Sequence, residues 1–231
     1  MARKFLARQS VILSAAKNPR ICLCAAAALA VFVTVARPAQ APDPILRKVD
    51  DHYNHLSSLR ASYSEHYTGM GMDRTESGTL LLKKPGRMRW SYTTPVGKVF
   101  ILDGKFGWFY TPGDNQATRI DAKKLDDLRS PLRFLLGHTQ LEKELDKPVV
   151  TPIGSGYRIA GTPKGMSQRV KLLSLTVTSS GAIESIQIEE IDGAVTEFTF
   201  SAMQENLSVR DSDFRFNPPA GVAVVDGIAP I

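Results

Sequence analysis

Cysteine is almost missing from this chain: its 231 residues hold two, Cys22 and Cys24, and none follows them. Beyond residue 24 a disulfide framework or a thiolate metal site is therefore excluded. Catalytic signatures are missing as well. There is no His-Glu-x-x-His pattern, and Gly154-Ser155-Gly156 lacks the flanks of a nucleophile elbow. Gly69-Met70-Gly71-Met72 has no following helix to make it a phosphate cradle. His52 and His55 stand three apart with no supporting cysteine or carboxylate, so they read as ordinary histidines and not as metal ligands. Asp126-Asp127 and Glu189-Glu190 are sequence neighbours with no sign of converging on a cleft. No internal repeat at solenoid or propeller periods is present. The chain reads as something other than an enzyme, with no cofactor.

Acidic residues are absent from residues 1–41, where six basic ones (Arg3, Lys4, Arg8, Lys17, Arg20 and Arg37) stand alone. An apolar run from Ile21 to Ala36 follows, shorter than the ~20 residues of a membrane-spanning helix. Ala39-Gln40-Ala41 then precedes Pro42. This order predicts a secretory signal peptide over 1–41, cleaved after Ala41, and a periplasmic destination. No cysteine follows the apolar run to take a lipid anchor, which argues for a soluble exported protein. The net charge of +6 belongs to this segment. Without its six basic residues, 23 Lys+Arg face 23 Asp+Glu. A basic patch for nucleic acid is therefore not indicated. Residues 42–231 suit a single domain.

Asp43 to about Leu59 carries apolar residues at helical spacing, with Asp43 as N-cap and Pro44 at the first position. The period then changes to two. Strands are expected over 60–67, 78–83, 87–92, 98–102, 107–110 and 117–120. Lys84-Pro85-Gly86, Asp103-Gly104 and Thr111-Pro112-Gly113 separate them. Short helices are expected over 122–129, 131–137 and 141–145, followed by strands over 157–160, 170–178, 183–190 and 195–203. Phe214 to Pro219 reads as a closing extended edge. The pattern makes an α+β domain: a curling antiparallel meander whose helices cover one face. Aromatic and apolar residues concentrate in two hairpins, 80–92 and 101–110, which suggests either a sheet core or an apolar wall.

The series Gly78-x-Leu80, Lys84-Pro85-Gly86-Arg87-Met88-Arg89-Trp90, Pro95, Asp103-Gly104 and Trp108-x-Tyr110 resembles the periplasmic lipoprotein carrier family (LolA). So do Ser130-Pro131-Leu132, Leu135-Leu136-Gly137 and Phe214-x-Phe216-x-Pro218-Pro219-x-Gly221-Val222. The resemblance implies an unclosed antiparallel β-barrel, a half-barrel with a lid of short α-helices over an apolar cavity. It implies acylated lipoproteins as cargo, received from an inner-membrane lipoprotein-releasing transporter and passed to an outer-membrane receptor, and a monomeric chain. The cargo-binding residues it implies are Lys84, Met88, Trp90, Leu102, Trp108, Leu132, Leu135 and Leu136. Two departures bear on transfer. The family's basic residue before the hairpin proline is typically arginine and is Lys84 here, which loses the planar fork. The aromatic four residues on is Met88. Arg87 and Arg89 are expected to place guanidinium groups close by. Three other readings use the same residues: a carrier of a glycolipid or phospholipid, a lipoprotein-sensing regulatory module, and an exported hydrolase.

Overall fold

The computed structural model describes residues 43–123 and 140–227. Helix α1 (Pro44–His55) opens on a side-chain cap, the Asp43 carboxylate accepting from the Ile45 amide at 2.8 Å. It buries Ile45, Leu46, Val49 and Tyr53. Helical spacing carried the expected helix on to Leu59, but the chain turns out of it after His55. Asn206 takes both the amide and the hydroxyl of Ser57, each at 2.9 Å, and the Ser58 hydroxyl donates to the Leu207 carbonyl at 2.7 Å. Leu56 and Leu59 stay buried, Leu59 within a strand.

Twelve strands follow in the described residues. A first meander holds β1 (Ser58–Gly69), β2 (Met72–Lys83), β3 (Arg87–Thr94), β4 (Val96–Asp103), β5 (Phe106–Tyr110) and β6 (Gln116–Asp121). After the short helix α2 (Leu141–Glu144), a second holds β7 (Leu145–Ile153), β8 (Gly156–Pro163), β9 (Val170–Val177), β10 (Ile183–Glu190) and β11 (Val195–Glu205). A 3-10 turn (Asp211–Phe214) and β12 (Ala223–Asp226) finish it. The sheet order is β12-β6-β5-β4-β3-β2-β1-β11-β10-β9-β8-β7. The meanders join where β1 pairs with β11, from Leu59 opposite Glu205 to Thr68 opposite Val195. The edge strands β7 and β12 do not pair with each other, so the sheet is unclosed.

The inner face, which carries α1, holds the main core. It runs from Ile159, Leu173, Leu175 and Ile186 through Phe198 and Phe200 to Leu80, Leu82 and Trp90. The β9–β10 turn clasps α1. Lys48 Nζ donates to the Ser179 carbonyl at 3.0 Å, and the Ile183 amide donates to the Tyr53 hydroxyl at 3.1 Å. Burial pushes the Tyr53 phenol up to about 12. Gly181, at φ +95°, lets the turn come this close, since a Cβ there would stand 2.6 Å from the Lys48 carbonyl oxygen.

Two strands were not foreseen. β7 has the chemistry of a protected edge: Pro148, Pro152, a left-handed Lys147 and a register shift between Asp146 and Val149 hide its alternation. β12 pairs in parallel with β6, and the segment before it, expected as a closing extended edge, belongs to no strand. Phe214 closes the 3-10 turn and is fully buried, while Phe216 lies 5.4 Å from the Trp108 ring and 5.9 Å from Tyr110. This strap covers the outer face because that face has apolar residues of its own. The expected helices over 124–137 lie outside the described residues.

Candidate cargo-binding face

Cross-strand register sorts the inner face into rows. Leu59, Leu82, Met88, Leu102, Gly107 and Ile120 stand side by side across β1 to β6. The next row is Ala61, Leu80, Trp90, Phe100, Phe109 and Thr118. Together they make an apolar wall six strands wide. Trp90 is its centre, with Tyr63 edge-on at 4.5 Å, Phe198 at 5.5 Å and its indole N–H directed at the Met88 sulfur at 2.8 Å. Three of the sequence-derived residues, Met88, Trp90 and Leu102, therefore share one surface.

Trp108 does not, and its expected place on this wall is corrected. It pairs with Ile101, whose side chain points away from that of Leu102, so Trp108 belongs to the outer face. There its indole donates to the Asp103 carboxylate at 2.8 Å and the Arg119 guanidinium lies 5.8 Å from its ring. The segment Phe106 to Tyr110 is apolar on both faces, so composition could not say which residue points inward. The expectation for Arg87 and Arg89 fails for the same period-two reason. Both point outward, Arg87 to Asp211 at 3.3 Å and Arg89 to the carbonyl of Asp213 at 3.3 Å. Leu132, Leu135 and Leu136 lie outside the described residues.

Lys84 continues the β1–β2 ladder, its amide donating to the Ser57 carbonyl at 2.9 Å. Lys83 points outward to Asp211 at 2.6 Å, so by alternation Lys84 points to the inner face. Its ammonium is sealed from solvent without a hydrogen-bond partner among the described residues. Burial accordingly holds its pKa below the ordinary lysine value. An ammonium placed there can donate to a carbonyl or an anion.

Beyond the two apolar rows the inner face turns polar. Tyr63, Gly78 and Tyr92 align across β1, β2 and β3, and Glu65 faces Glu76 in the row after them. Glu76 keeps a side chain only 6 % exposed, paired with Lys98 Nζ at 2.5 Å and Arg74 Nε at 3.4 Å. Lys98 also lies 4.4 Å from the centre of the Tyr92 ring. Burial, and then the Glu76 charge, raises the Glu65 carboxyl above the usual glutamate range. Burial likewise raises the Tyr63 and Tyr92 phenols, which stay protonated. Sequence reading missed this group. The available signal was the run Leu59-x-Ala61-x-Tyr63-x-Glu65, which puts a carboxylate on the face that alternation reserves for the core.

The raised Glu65 has a consequence for stability. The folded chain binds this proton more tightly than the unfolded chain. Stability therefore falls as pH rises from 4.5, the unfolded value, through the folded value. Glu65→Gln should match wild type below that window and exceed it at neutral pH, read as thermal midpoints between about pH 4 and 8.

The sequence profile of the outer membrane lipoprotein carrier protein LolA matches residues 54–217. The chain belongs to the LolA family. A relative in Proteus mirabilis, named outer-membrane lipoprotein carrier protein, is 30 % identical over 201 residues, which span 86 % of this chain and 94 % of that one. Another of that name in Nitrosospira multiformis is 30 % identical over 154 residues, covering 66 % and 73 %. Among solved structures, a LolA superfamily protein from Nitrosomonas europaea matches at 13 % identity with a TM-score of 0.42, covering 74 % of this chain and 96 % of that chain. Within the LolA match lie the apolar rows, Lys84 and the whole polar group on β1 to β4.

Proposed function

We propose that this LolA-family chain is a periplasmic lipoprotein carrier. It holds the acyl chains of outer-membrane lipoproteins against the inner face and ferries them between the two membranes. In this reading residues 1–41 are a signal peptide removed after Ala41, and 42–231 form one carrier domain. Cargo comes from an inner-membrane lipoprotein-releasing transporter and leaves to an outer-membrane receptor. The observation that carries the reading is the apolar wall itself: two rows crossing six strands of a sheet whose edges do not meet.

The physics fits such a task. Each methylene taken from water contributes ~0.8 kcal/mol, so a multi-chain anchor does not cross water unaided. A carrier has to cover that surface and still release it, which a preformed apolar face allows with no covalent step. Met88, Trp90 and Leu102 would line the chains, and the resemblance adds Leu132, Leu135 and Leu136 to the cargo-binding set. The sealed ammonium of Lys84 would hold a carbonyl or anion at the end of the wall near Ser57.

Transfer separates these roles. Inner-membrane vesicles carrying a labelled lipoprotein are mixed with the carrier, and soluble complex and onward delivery to outer-membrane vesicles are measured. Lys84→Glu should still form complex and deliver at least about tenfold less. Undiminished delivery by Lys84→Glu would remove Lys84 from the site. No soluble complex with the unmodified protein would refute the carrier reading.

A further inference from the structure

The polar group on the inner face is more than the fold requires. A buried ion pair such as Glu76–Lys98 is commonly replaced by apolar residues without loss of stability. The Tyr63 hydroxyl is sealed from solvent, and among the described residues it has only the neighbouring Tyr92 phenol to turn to, at poor geometry, although the whole residue is 97 % buried. Phenylalanine would pack there at lower cost. Yet Tyr63, Tyr92 and Lys98 come together from three strands, and they do so directly beside the row that holds Leu80, Trp90 and Phe100. Gly78 stands between the two phenols and adds no side chain, leaving their rings 5.5 Å apart and edge-on.

Three of its side chains are donors. Burial keeps both phenols protonated, and Lys98 brings an ammonium that it shares with Glu76. The nearby carboxylates, Glu65 and Glu76, make the place unfavourable for an anion. A bare alkyl chain has nothing to offer it. A neutral acceptor attached to an apolar chain fits both halves of the surface, and the carbonyl oxygen of an ester or amide is that acceptor. Chains lying on the apolar rows would end with their carbonyl heads at this row.

We propose that Tyr63, Tyr92 and Lys98 form a head-group subsite that hydrogen-bonds the ester and amide carbonyls joining acyl chains to their parent molecule. The subsite rests on the acyl-binding reading above. Two sources carry this chemistry, the acylated amino terminus of a lipoprotein and the glycerol esters of a phospholipid.

The test uses the exported protein with three probes: a synthetic lipopeptide with an acylated amino-terminal cysteine, dipalmitoyl phosphatidylethanolamine, and a pyrene-labelled alkane that has no carbonyl. Tyr63→Phe should bind the lipopeptide ~tenfold more weakly, the scale of one lost hydrogen bond, and the alkane as wild type does. Its thermal midpoint should stay level or rise, since a buried hydroxyl with only poor hydrogen-bond geometry among the described residues has gone. Tyr92→Phe should show the same selective loss. A loss shared by phosphatidylethanolamine assigns the subsite to ester carbonyls, and a loss confined to the lipopeptide assigns it to the amide. Equal losses for lipopeptide and alkane, or no loss for either variant, would overturn the subsite alone. Wild-type protein that binds neither lipopeptide nor alkane would overturn the acyl-binding reading, and the subsite with it.

Discussion

Trp90→Ala should lose ~3–5 kcal/mol of stability, the range for truncating a fully buried aromatic. For a domain of this size that lowers the thermal midpoint by on the order of 10 °C. The reason lies in how many elements meet on the indole. It sits on β3, receives the edge of Tyr63 from β1, and touches Phe198 and Phe200 of β11 at 5.5 and 6.3 Å. Truncation opens the core at the seam where the two meanders join. Trp90→Phe keeps most of the volume and should cost about half as much or less. Thermal or denaturant unfolding of both variants measures the difference. A cost below about 1 kcal/mol for Trp90→Ala would mean that the seam is not packed as described.

Lys98→Met should be nearly as damaging, at ~3 kcal/mol, although Lys98 is the more exposed partner of its ion pair. The cost comes from Glu76, which stays in place with a side chain 6 % exposed and keeps only Arg74, at 3.4 Å. Glu65 opposite adds a second negative charge. Replacing both partners, Glu76→Leu with Lys98→Met, should recover part of the loss, because the buried Glu76 carboxylate is gone while Glu65 remains and loses Lys98 as a neighbour. The double-mutant cycle in denaturant unfolding reads this directly. A double variant as unstable as the sum of the singles would show that the two residues act separately.

Much of the architecture could be read from the sequence, because period-two alternation and turn residues survive in central strands. Gly78 to Lys83, Arg87 to Tyr92 and Ile183 to Glu190 were legible for that reason. β7 was not, since an edge strand needs prolines and irregularity more than alternation. The start of β1 was obscured by apolar spacing that runs on from the helix through Leu56 and Leu59. On the inner face, Met88 and Trp90 were legible because each is apolar in a strand whose other face is polar, whereas Leu102 shares its strand with Val99 and Ile101 on the opposite face and was placed by register alone. Trp108 was misplaced because both faces of its strand are aromatic or apolar, so one residue of register decides everything. The group around Tyr63, Glu65 and Glu76 depends on pairing across β1, β2 and β3, which composition does not carry.

The central claim is that the inner face holds acyl chains. Native mass spectrometry of the protein released gently from the periplasm tests it most directly. A bound fraction heavier by the mass of an acylated polypeptide is expected. Protein that carries no acylated molecule even after incubation with a lipoprotein-loaded membrane would contradict it.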